Sequence, residues 1–311
     1  MRYVMQEIGR AAERSVNVLL SGERGTGRET LARAIHARSR QNQGPFVALD
    51  CSKCSAHDLE AQLFATNGNP GAAERRSVER VRRTSQLFLS KGGTLFLQNI
   101  VDLPARLQTR LLRVLRDGEV VIMDEGTRVE LEHRVITAGD ASLDAAVHDG
   151  RMLPDLYKRL SSMRVDVPAL RDRRDDIPEL AVHLMNLMCA RANVPAKQLS
   201  DAAKSMLAAL PWRGNGEELR RLLEVLIMRA STATISLDDV LANVRLDGQA
   251  TWYAVGASLR EARARFESEY ISAVVAHHHG RIPDAAKSLG IQRSNLYRKM
   301  RRLNVRPKAQ A

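Results

Sequence analysis

A glycine-rich loop that leads into a helix is the strongest candidate for chemistry in this sequence. The apolar run at 17–20 is followed by GERGTGRE at 22–29, and a helical pattern begins at Glu29. Glycines at this spacing allow a tight turn with inward-pointing backbone N–H groups, and the helix N-terminus that follows favours an anion. The spacing is that of a phosphate-binding P-loop. Arg28, however, stands where that motif has lysine, and a planar guanidinium is not equivalent to a compact ammonium. The candidate nucleotide-binding residues are Gly22, Gly25, Thr26, Gly27, Arg28 and Glu29.

A second candidate lies at the other end of the chain, where positive charge is concentrated. Residues 281–311 hold nine basic residues and one acidic residue, eight of the twelve excess positive charges of the chain. The same stretch carries two helical patterns, 282–289 and 292–303, separated by Gly290. This spacing predicts a DNA-binding helix-turn-helix, whose second helix enters the major groove near its N-terminal end. We expect base contacts from Gln292, Arg293, Asn295 and Arg298, and phosphate contacts from Lys299, Arg301 and Arg302. The alternative is that some of these side chains only solvate a helix face.

These candidates must be positioned by two kinds of architecture. Up to about residue 170, short apolar runs alternate with helical patterns, which predicts a parallel α/β sheet. Residues 171–245 are apolar at helical spacing with no convincing strand, which predicts a helical lid. We therefore expect an α/β subdomain at 1–170, a lid at 171–245, a linker at 246–257 and an all-α DNA-binding domain at 258–311.

Composition excludes several other classes of protein. The chain has 311 residues, a net charge of +12 and no apolar run long enough to cross a membrane, so we expect a cytoplasmic, nucleoid-associated protein without a membrane partner. Cys51 and Cys54 form a C-x-x-C without a second ligand pair, which gives zinc or redox chemistry little support. The adjacent histidines at 277–279 cannot share one helix face. We predict no metal site.

Several ordered segments then resemble a known family. They are GERGTGRETLARAIHARS, GPFVALDC, LEAQLF, GGTLFLQNI, LQTRLLRVLRDGE, DLYKRL, PALRDRRDDIP and WRGNGEELRRLLE. In this order they are similar to the AAA+ domain of bacterial enhancer-binding proteins, the activators of sigma-54 RNA polymerase. GIQRSNLYRKMRRL resembles the Fis-type module that closes that family. The resemblance covers residues 1–245 almost completely and implies a P-loop NTPase fold with a helical lid.

The resemblance also locates departures from the family at positions where it places catalytic groups. Gln98 and Asn99 replace the acidic pair that serves Mg²⁺ and the attacking water, and Asp140 replaces a sensor asparagine. Leu153 replaces the first of two arginines presented to a neighbouring subunit, so that Arg159 alone remains, and Glu217 replaces a sensor arginine. Asp102 lies past the end of the strand and is therefore a weak substitute for the missing acidic pair. Because phosphoryl transfer depends on positioning and electrostatic stabilisation, we expect ATPase activity to be absent or negligible.

The sequence hypothesis is a DNA-binding transcriptional regulator of this family with a hydrolysis-defective AAA+ domain. We expect no required cofactor, and ATP, ADP or another nucleotide remains a candidate ligand that is bound without cleavage. The family's GAFTGA contact motif for sigma-54 is absent between Phe64 and Gly92. Double-stranded DNA is the expected partner, RNA polymerase a second one, and self-association would give a dimer through the C-terminal module or a larger AAA+ ring. Two alternatives stay open: a functioning ATP-dependent activator of sigma-54 polymerase, and a nucleotide sensor. With 21 residues before Gly22, truncation of the N-terminus also stays open.

Overall fold

The computed structural model describes residues 2–66, 78–230, 232–244, 281–289 and 291–303, together with 268, 271 and 275. The predicted linker, most of the first part of the predicted DNA-binding domain and Gly290 therefore lie outside the described residues. So do residues 67–77, part of the stretch between Phe64 and Gly92 in which the family carries its contact loop. The chain divides into two compact units, Met1–Val244 and Arg245–Ala311, which are treated separately below.

The first unit is built on a parallel five-stranded sheet, which confirms the predicted fold class. Its strands are β1 (Val18–Ser21), β2 (Phe46–Asp50), β4 (Thr94–Gln98), β7 (Arg134–Gly139) and β8 (Met163–Asp166). Their spatial order is β2-β4-β7-β1-β8. Strands β1, β4 and β7 are almost wholly buried and mostly apolar, as expected for a sheet covered on both faces. Their carboxyl ends share one edge, where Asp50 pairs in register with Gln98 and Gln98 with Ala138.

Helices cover both faces of this sheet. They are α1 (Arg2–Glu13), α2 (Arg28–Arg38), α3 (Ala56–Phe64), α4 (Gln86–Leu89), α5 (Ala105–Asp117), α6 (Ser142–His148) and α7 (Pro154–Leu160), with a 3-10 turn at Ile100–Asp102. A small sheet of β3 (Arg80–Val81), β5 (Glu119–Ile122) and β6 (Arg128–Glu130) packs beside them. One core lies beneath α3, α5 and α7, and the other beneath α1 and α2. The two cores hold the carboxyl edge of the sheet in place.

The lid has a hydrophobic core of its own. It contains α8 (Ile177–Ala192), α9 (Asp201–Ala209), α10 (Asn215–Arg229) and α11 (Leu237–Asn243), preceded by 3-10 turns at Leu170–Asp172 and Arg174–Asp176. The expectation of no strand in this region was incomplete, because β9 (Gln198–Leu199) and β10 (Thr234–Ile235) form a short parallel pair. Two paired residues are too few to produce a periodic pattern in the sequence.

In the second unit, the described residues form the predicted helix-turn-helix. Helix α12 (Ile282–Ser288) and helix α13 (Arg293–Arg302) pack around Ala285, Ala286, Leu296 and Met300, all of which are buried. Ile271 and Val275 complete this core. Among the described residues, no helix is both long and apolar enough to span a membrane.

Candidate nucleotide site and DNA-binding helix

The glycine-rich loop between β1 and α2 has all of its carbonyl groups engaged by the protein. The oxygen of Gly22 accepts from Arg28, that of Glu23 from the Thr26 hydroxyl, and that of Gly27 from the Leu31 N–H. In a planar trans peptide, the N–H points away from the C=O. The loop N–H groups are therefore turned away from these partners. Together with the start of α2, they form a surface suited to an anion.

The lid supplies the remaining carbonyl partners of this loop. Asn215 Nδ2 donates to the Arg24 oxygen at 2.9 Å, Gly216 N donates to the Gly25 oxygen at 2.9 Å, and Arg173 donates to the Thr26 oxygen at 3.2 Å. A Cβ at position 25 would lie 2.3 Å from the Gly214 oxygen, so only glycine allows this approach. The loop and the lid are thus joined through backbone groups.

Glu23 adds a charged link between the loop and the lid. Its carboxylate accepts two hydrogen bonds from the Arg171 guanidinium and one from Asn215 Nδ2, the latter at 3.0 Å. The hydrogen bond from Arg171, followed by that from Asn215, lowers the pKa of Glu23 to about 2. The carboxylate is therefore ionised at neutral pH. Sequence reasoning missed this link, because Glu23 and Asn215 are 192 positions apart.

Arg28 does not project freely from the loop. It is 3% exposed, and its guanidinium donates to the Gly22 oxygen and to Asn99 Oδ1, each at 3.0 Å. Burial lowers its pKa, and the nearby Asp140 carboxylate opposes that effect. On its other side, Asn99 Nδ2 donates to Asp50 Oδ1 at 2.7 Å. The first unit thus holds a continuous chain from the loop to the end of β2: Arg28, Asn99, Asp50.

Two other departures from the family lie at the same edge, and a third lies in the lid beside Gly25. Gln98 ends β4, and Asp140 follows β7, where its carboxylate accepts from the backbone and hydroxyl of Ser142. The Ser142 hydroxyl bond, which outweighs burial, holds the pKa of Asp140 below its usual range. Glu217 lies in the first turn of α10, its Cβ 3.3 Å from a Cβ built on Gly25, and it pairs with Arg220 at 3.0 Å.

The two arginine-finger positions lie away from the loop residues. Leu153 precedes α7 and packs against the main core, while its N–H donates to Gln108. Arg159 is exposed, and its Nε donates to the Leu115 oxygen at 2.9 Å. Asp102, the weak substitute, forms a 3.4 Å ion pair with Arg24. Among the described residues, no cluster of His, Cys, Asp and Glu could hold a metal ion by itself.

Helix α13 presents a polar face opposite its core residues Leu296 and Met300. The exposed side chains on this face are Gln292, Arg293, Ser294, Tyr297, Arg298 and Arg301, whereas Asn295 and Lys299 are half-buried. Arg298 donates to Asn295 Oδ1 at 2.9 Å. The side chain of Arg302 lies outside the described residues. Sequence reasoning missed Tyr297, whose ring is 60% exposed among these arginines.

Comparison with known proteins supports each part of this arrangement. The chain matches the family models for a Sigma-54 interaction domain at 1–166, an AAA+ ATPase lid domain at 171–252 and a Bacterial regulatory protein, Fis family, at 262–303. It is 32% identical to the DNA-binding transcriptional regulator NtrC of Escherichia coli K12, covering 98% of this chain and 69% of NtrC. It is 33% identical to the nitrogen assimilation regulatory protein NtrX of Azorhizobium caulinodans, covering 96% of this chain and 66% of NtrX. The predicted resemblance is confirmed.

Solved structures of NtrX from Brucella abortus, in complex with ATP and with ADP, are also similar to this chain. The ATP complex has 32% identity and a TM-score of 0.67, covering 98% of this chain and 68% of that one; the ADP complex has 31% identity and the same TM-score. The expectation that this chain is not an ATPase is therefore wrong, because its relatives are AAA+ ATPases and a similar NtrX holds both nucleotides. That expectation compared each residue only with the family's residue at the same position in the sequence. The fold places the Asp50 carboxylate 2.7 Å from Asn99, and the cradle of the loop is made of backbone groups that side-chain changes leave in place.

Proposed function

This chain belongs to the family of sigma-54-interacting AAA+ transcriptional regulators, and we propose that it recognises a two-fold DNA site through α13 while an adenine nucleotide on the loop at 22–29 controls its activity. The observation that carries the nucleotide assignment is the engagement of every carbonyl from Gly22 to Gly27 by hydrogen bonds within the protein. This arrangement preorganises the N–H groups for phosphate.

The residues present fit ATP or ADP. Loop N–H groups and the start of α2 would bind the phosphates, and the guanidinium of Arg28 would add positive charge from its place beside Asn99. Hydrolysis of the nucleotide would drive a conformational change of the regulator. Lid residues donate hydrogen bonds to the carbonyl groups of the same loop peptides. A change of the bound nucleotide would therefore directly alter the hydrogen bonds between the loop and α10. Each of the residues Gly22, Gly25, Thr26, Gly27, Arg28 and Glu29 keeps its proposed role in nucleotide binding.

For DNA, the exposed face of α13 favours the division of roles expected from the sequence. Arg298 lies near the centre of the exposed face and Arg293 near its N-terminal end, where base edges are within reach in the major groove. Gln292 and Asn295 would make further base contacts, and Lys299, Arg301 and Arg302 would contact phosphates. A dimer of C-terminal modules would present two such helices. Sigma-54 RNA polymerase is the proposed protein partner.

The DNA proposal is tested by selection from random duplex DNA with the full chain, at two salt concentrations and with or without ATP and Mg²⁺. We expect a two-fold motif. Arg298→Ala should lose discrimination of about 1–3 kcal/mol at one base position, whereas Arg301→Ala should weaken all sequences alike and reduce the salt slope by about 1. Recovery of no motif, or identical behaviour of the two variants, would contradict the assignment.

The nucleotide proposal is tested by thermal unfolding with ATP or ADP. A ligand at about 100 times its Kd should add about 2.7 kcal/mol to the free energy of unfolding. A bound nucleotide should protect the first unit and leave the C-terminal unit unchanged. If neither nucleotide shifts the transition, the loop at 22–29 does not bind adenine nucleotides.

A further inference from the structure

The carboxylate of Asp50 occupies an unusual place at the carboxyl edge of the sheet. Asp50 ends β2, directly beside Gln98 at the end of β4, and its side chain is 15% exposed. Neither Gln98 nor Asn99 carries a charge. Asp50 is therefore a carboxylate in register beside the end of β4.

Asn99 fixes the orientation of this carboxylate. Its amide oxygen must face Arg28, which only donates, and its amide nitrogen must face Asp50, which only accepts when ionised. Asn99 is 7% exposed and has a positive φ of 54°, a conformation that asparagine tolerates better than most residues. Its amide also donates to the Ser52 hydroxyl at 3.1 Å. The amide is held from both sides in one orientation.

The charge of Asp50 is also maintained. Its Oδ1 accepts from the Ser52 N–H at 3.1 Å and from the Ser52 hydroxyl at 2.8 Å, and Lys53 Nζ lies 3.3 Å from Oδ2. Burial raises the pKa of Asp50, but the hydrogen bonds from Asn99 and Ser52 outweigh burial and hold the pKa below its usual range. An ionised carboxylate is thus present at neutral pH.

From this geometry we infer that Asp50 is the carboxylate that orients and deprotonates the attacking water in ATP hydrolysis, with Asn99 as its positioning residue. In that step, Asp50 takes a proton from water while the water oxygen bonds to the γ-phosphorus. The bond from this phosphorus to the bridging oxygen breaks, and its electron pair leaves on ADP. Of these two neighbouring strand ends, the end of β2 carries the carboxylate and the end of β4 is followed by the amide. This inference rests on the proposed nucleotide function.

The test is an exchange across the Asn99–Asp50 hydrogen bond in the full chain. Asp50→Asn removes the only charge of the pair and should lower kcat by about 100-fold or more. The double variant Asp50→Asn with Asn99→Asp restores one carboxylate and one amide, and it should recover at least about tenfold of that loss. Asp201→Asn, on a 99% exposed lid residue, is the matched control and should keep wild-type kcat.

A binding readout separates this role from a structural one. The Kd for ATP with Mg²⁺, measured by thermal shift, should stay within about threefold for Asp50→Asn, because the loop N–H groups carry the binding. Asn99→Asp alone places two carboxylates within hydrogen-bond distance, so its unfolding midpoint without nucleotide should rise as the pH falls from 7 to 5. This rise shows that the two side chains face each other in a folded protein.

The outcomes separate the two proposals. If the wild type binds neither nucleotide, the nucleotide function itself fails. If it binds ATP but does not hydrolyse it, or if Asp50→Asn hydrolyses normally, the role of Asp50 is refuted while nucleotide binding stands. A large loss of ATP affinity in Asp50→Asn, or a double variant no faster than Asp50→Asn, would likewise refute the water-activating role.

Discussion

Asn215 joins three segments of the first unit, and its removal should be among the most destabilising single changes in the chain. It is fully buried, and its Oδ1 accepts from the Leu170 N–H at 2.7 Å. Its Nδ2 donates to the Glu23 carboxylate at 3.0 Å and to the Arg24 oxygen at 2.9 Å. The 3-10 turn that begins at Leu170, the loop at 22–29 and the lid helix α10 therefore meet at one side chain.

The cost of Asn215→Ala follows from these contacts. The buried Leu170 N–H would lose its acceptor, which costs about 1–3 kcal/mol, and each lost donated bond costs about 1 kcal/mol. Alanine at a φ of 54° adds about 1 kcal/mol of backbone strain. We expect the free energy of unfolding to fall by about 4–6 kcal/mol. Asn215→Gly is the matched control, because it removes the same side chain without the strain and should be about 1 kcal/mol more stable than Asn215→Ala.

The assay is urea unfolding followed by circular dichroism and by tryptophan fluorescence. Trp212 lies in the core of the lid, and a Trp252→Phe background leaves it as the single tryptophan. In the parent, the two signals should report one transition. In Asn215→Ala, the lid signal should separate from the main transition, since the lid loses two of its hydrogen bonds to the loop. The reasoning is refuted if Asn215→Ala costs less than about 1 kcal/mol, or if the glycine variant is no more stable than the alanine variant.

Two further predictions concern buried charge. His133 has no hydrogen-bond partner for either ring nitrogen among the described residues, and burial lowers its pKa to about 4 from 6.5. Because the folded pKa is the lower one, its contribution to stability is complete above pH 6.5 and should fall by about 3 kcal/mol by pH 4. In urea unfolding, His133→Phe should abolish that part of the pH dependence, whereas the exposed control His148→Phe should retain it. If the parent and His133→Phe lose stability equally in acid, His133 is not the source of the loss. Arg110 is 5% exposed and pairs with Glu60 and Glu79, which are also buried, so Arg110→Met should lower the free energy of unfolding by about 3–5 kcal/mol. Arg83→Met, at the exposed Arg83–Glu125 pair, should lower it by less than about 1 kcal/mol. Similar losses in the two variants would show that burial does not set the cost.

Local patterns predicted several elements closely. The run at 17–20 became β1 with a shift of one residue, the helical pattern that begins at Glu29 became α2, and the patterns at 282–289 and 292–303 became α12 and α13 to within one residue at each end. These patterns are readable because strand burial and helix amphipathicity repeat over two to four residues. The predicted domain boundaries remain predictions, since 246–257 lies outside the described residues.

The site was harder to predict, because its contacts join distant parts of the sequence. Gln98 and Asn99 were correctly placed at the end of a strand, but nothing local indicates that Asp50 would face Asn99 from a strand 49 positions earlier. The inference of a lost catalytic charge treated each position alone. Parallel strands bring several carboxyl ends to one edge, so a charge missing from one strand end can be supplied by its neighbour.

The arrangement of the loop also explains how its two faces can communicate. The lid bonds to the carbonyl groups of Arg24, Gly25 and Thr26, whereas a phosphate would bond to N–H groups of the same peptides. A charge-assisted bond at an N–H polarises its peptide and strengthens the bond at the opposite oxygen. Nucleotide binding should therefore tighten the lid through these shared peptides, without displacing any side chain. Asn215, Gly216 and Arg173 are better placed for this coupling than the side chain at position 28, because they hold the peptides themselves.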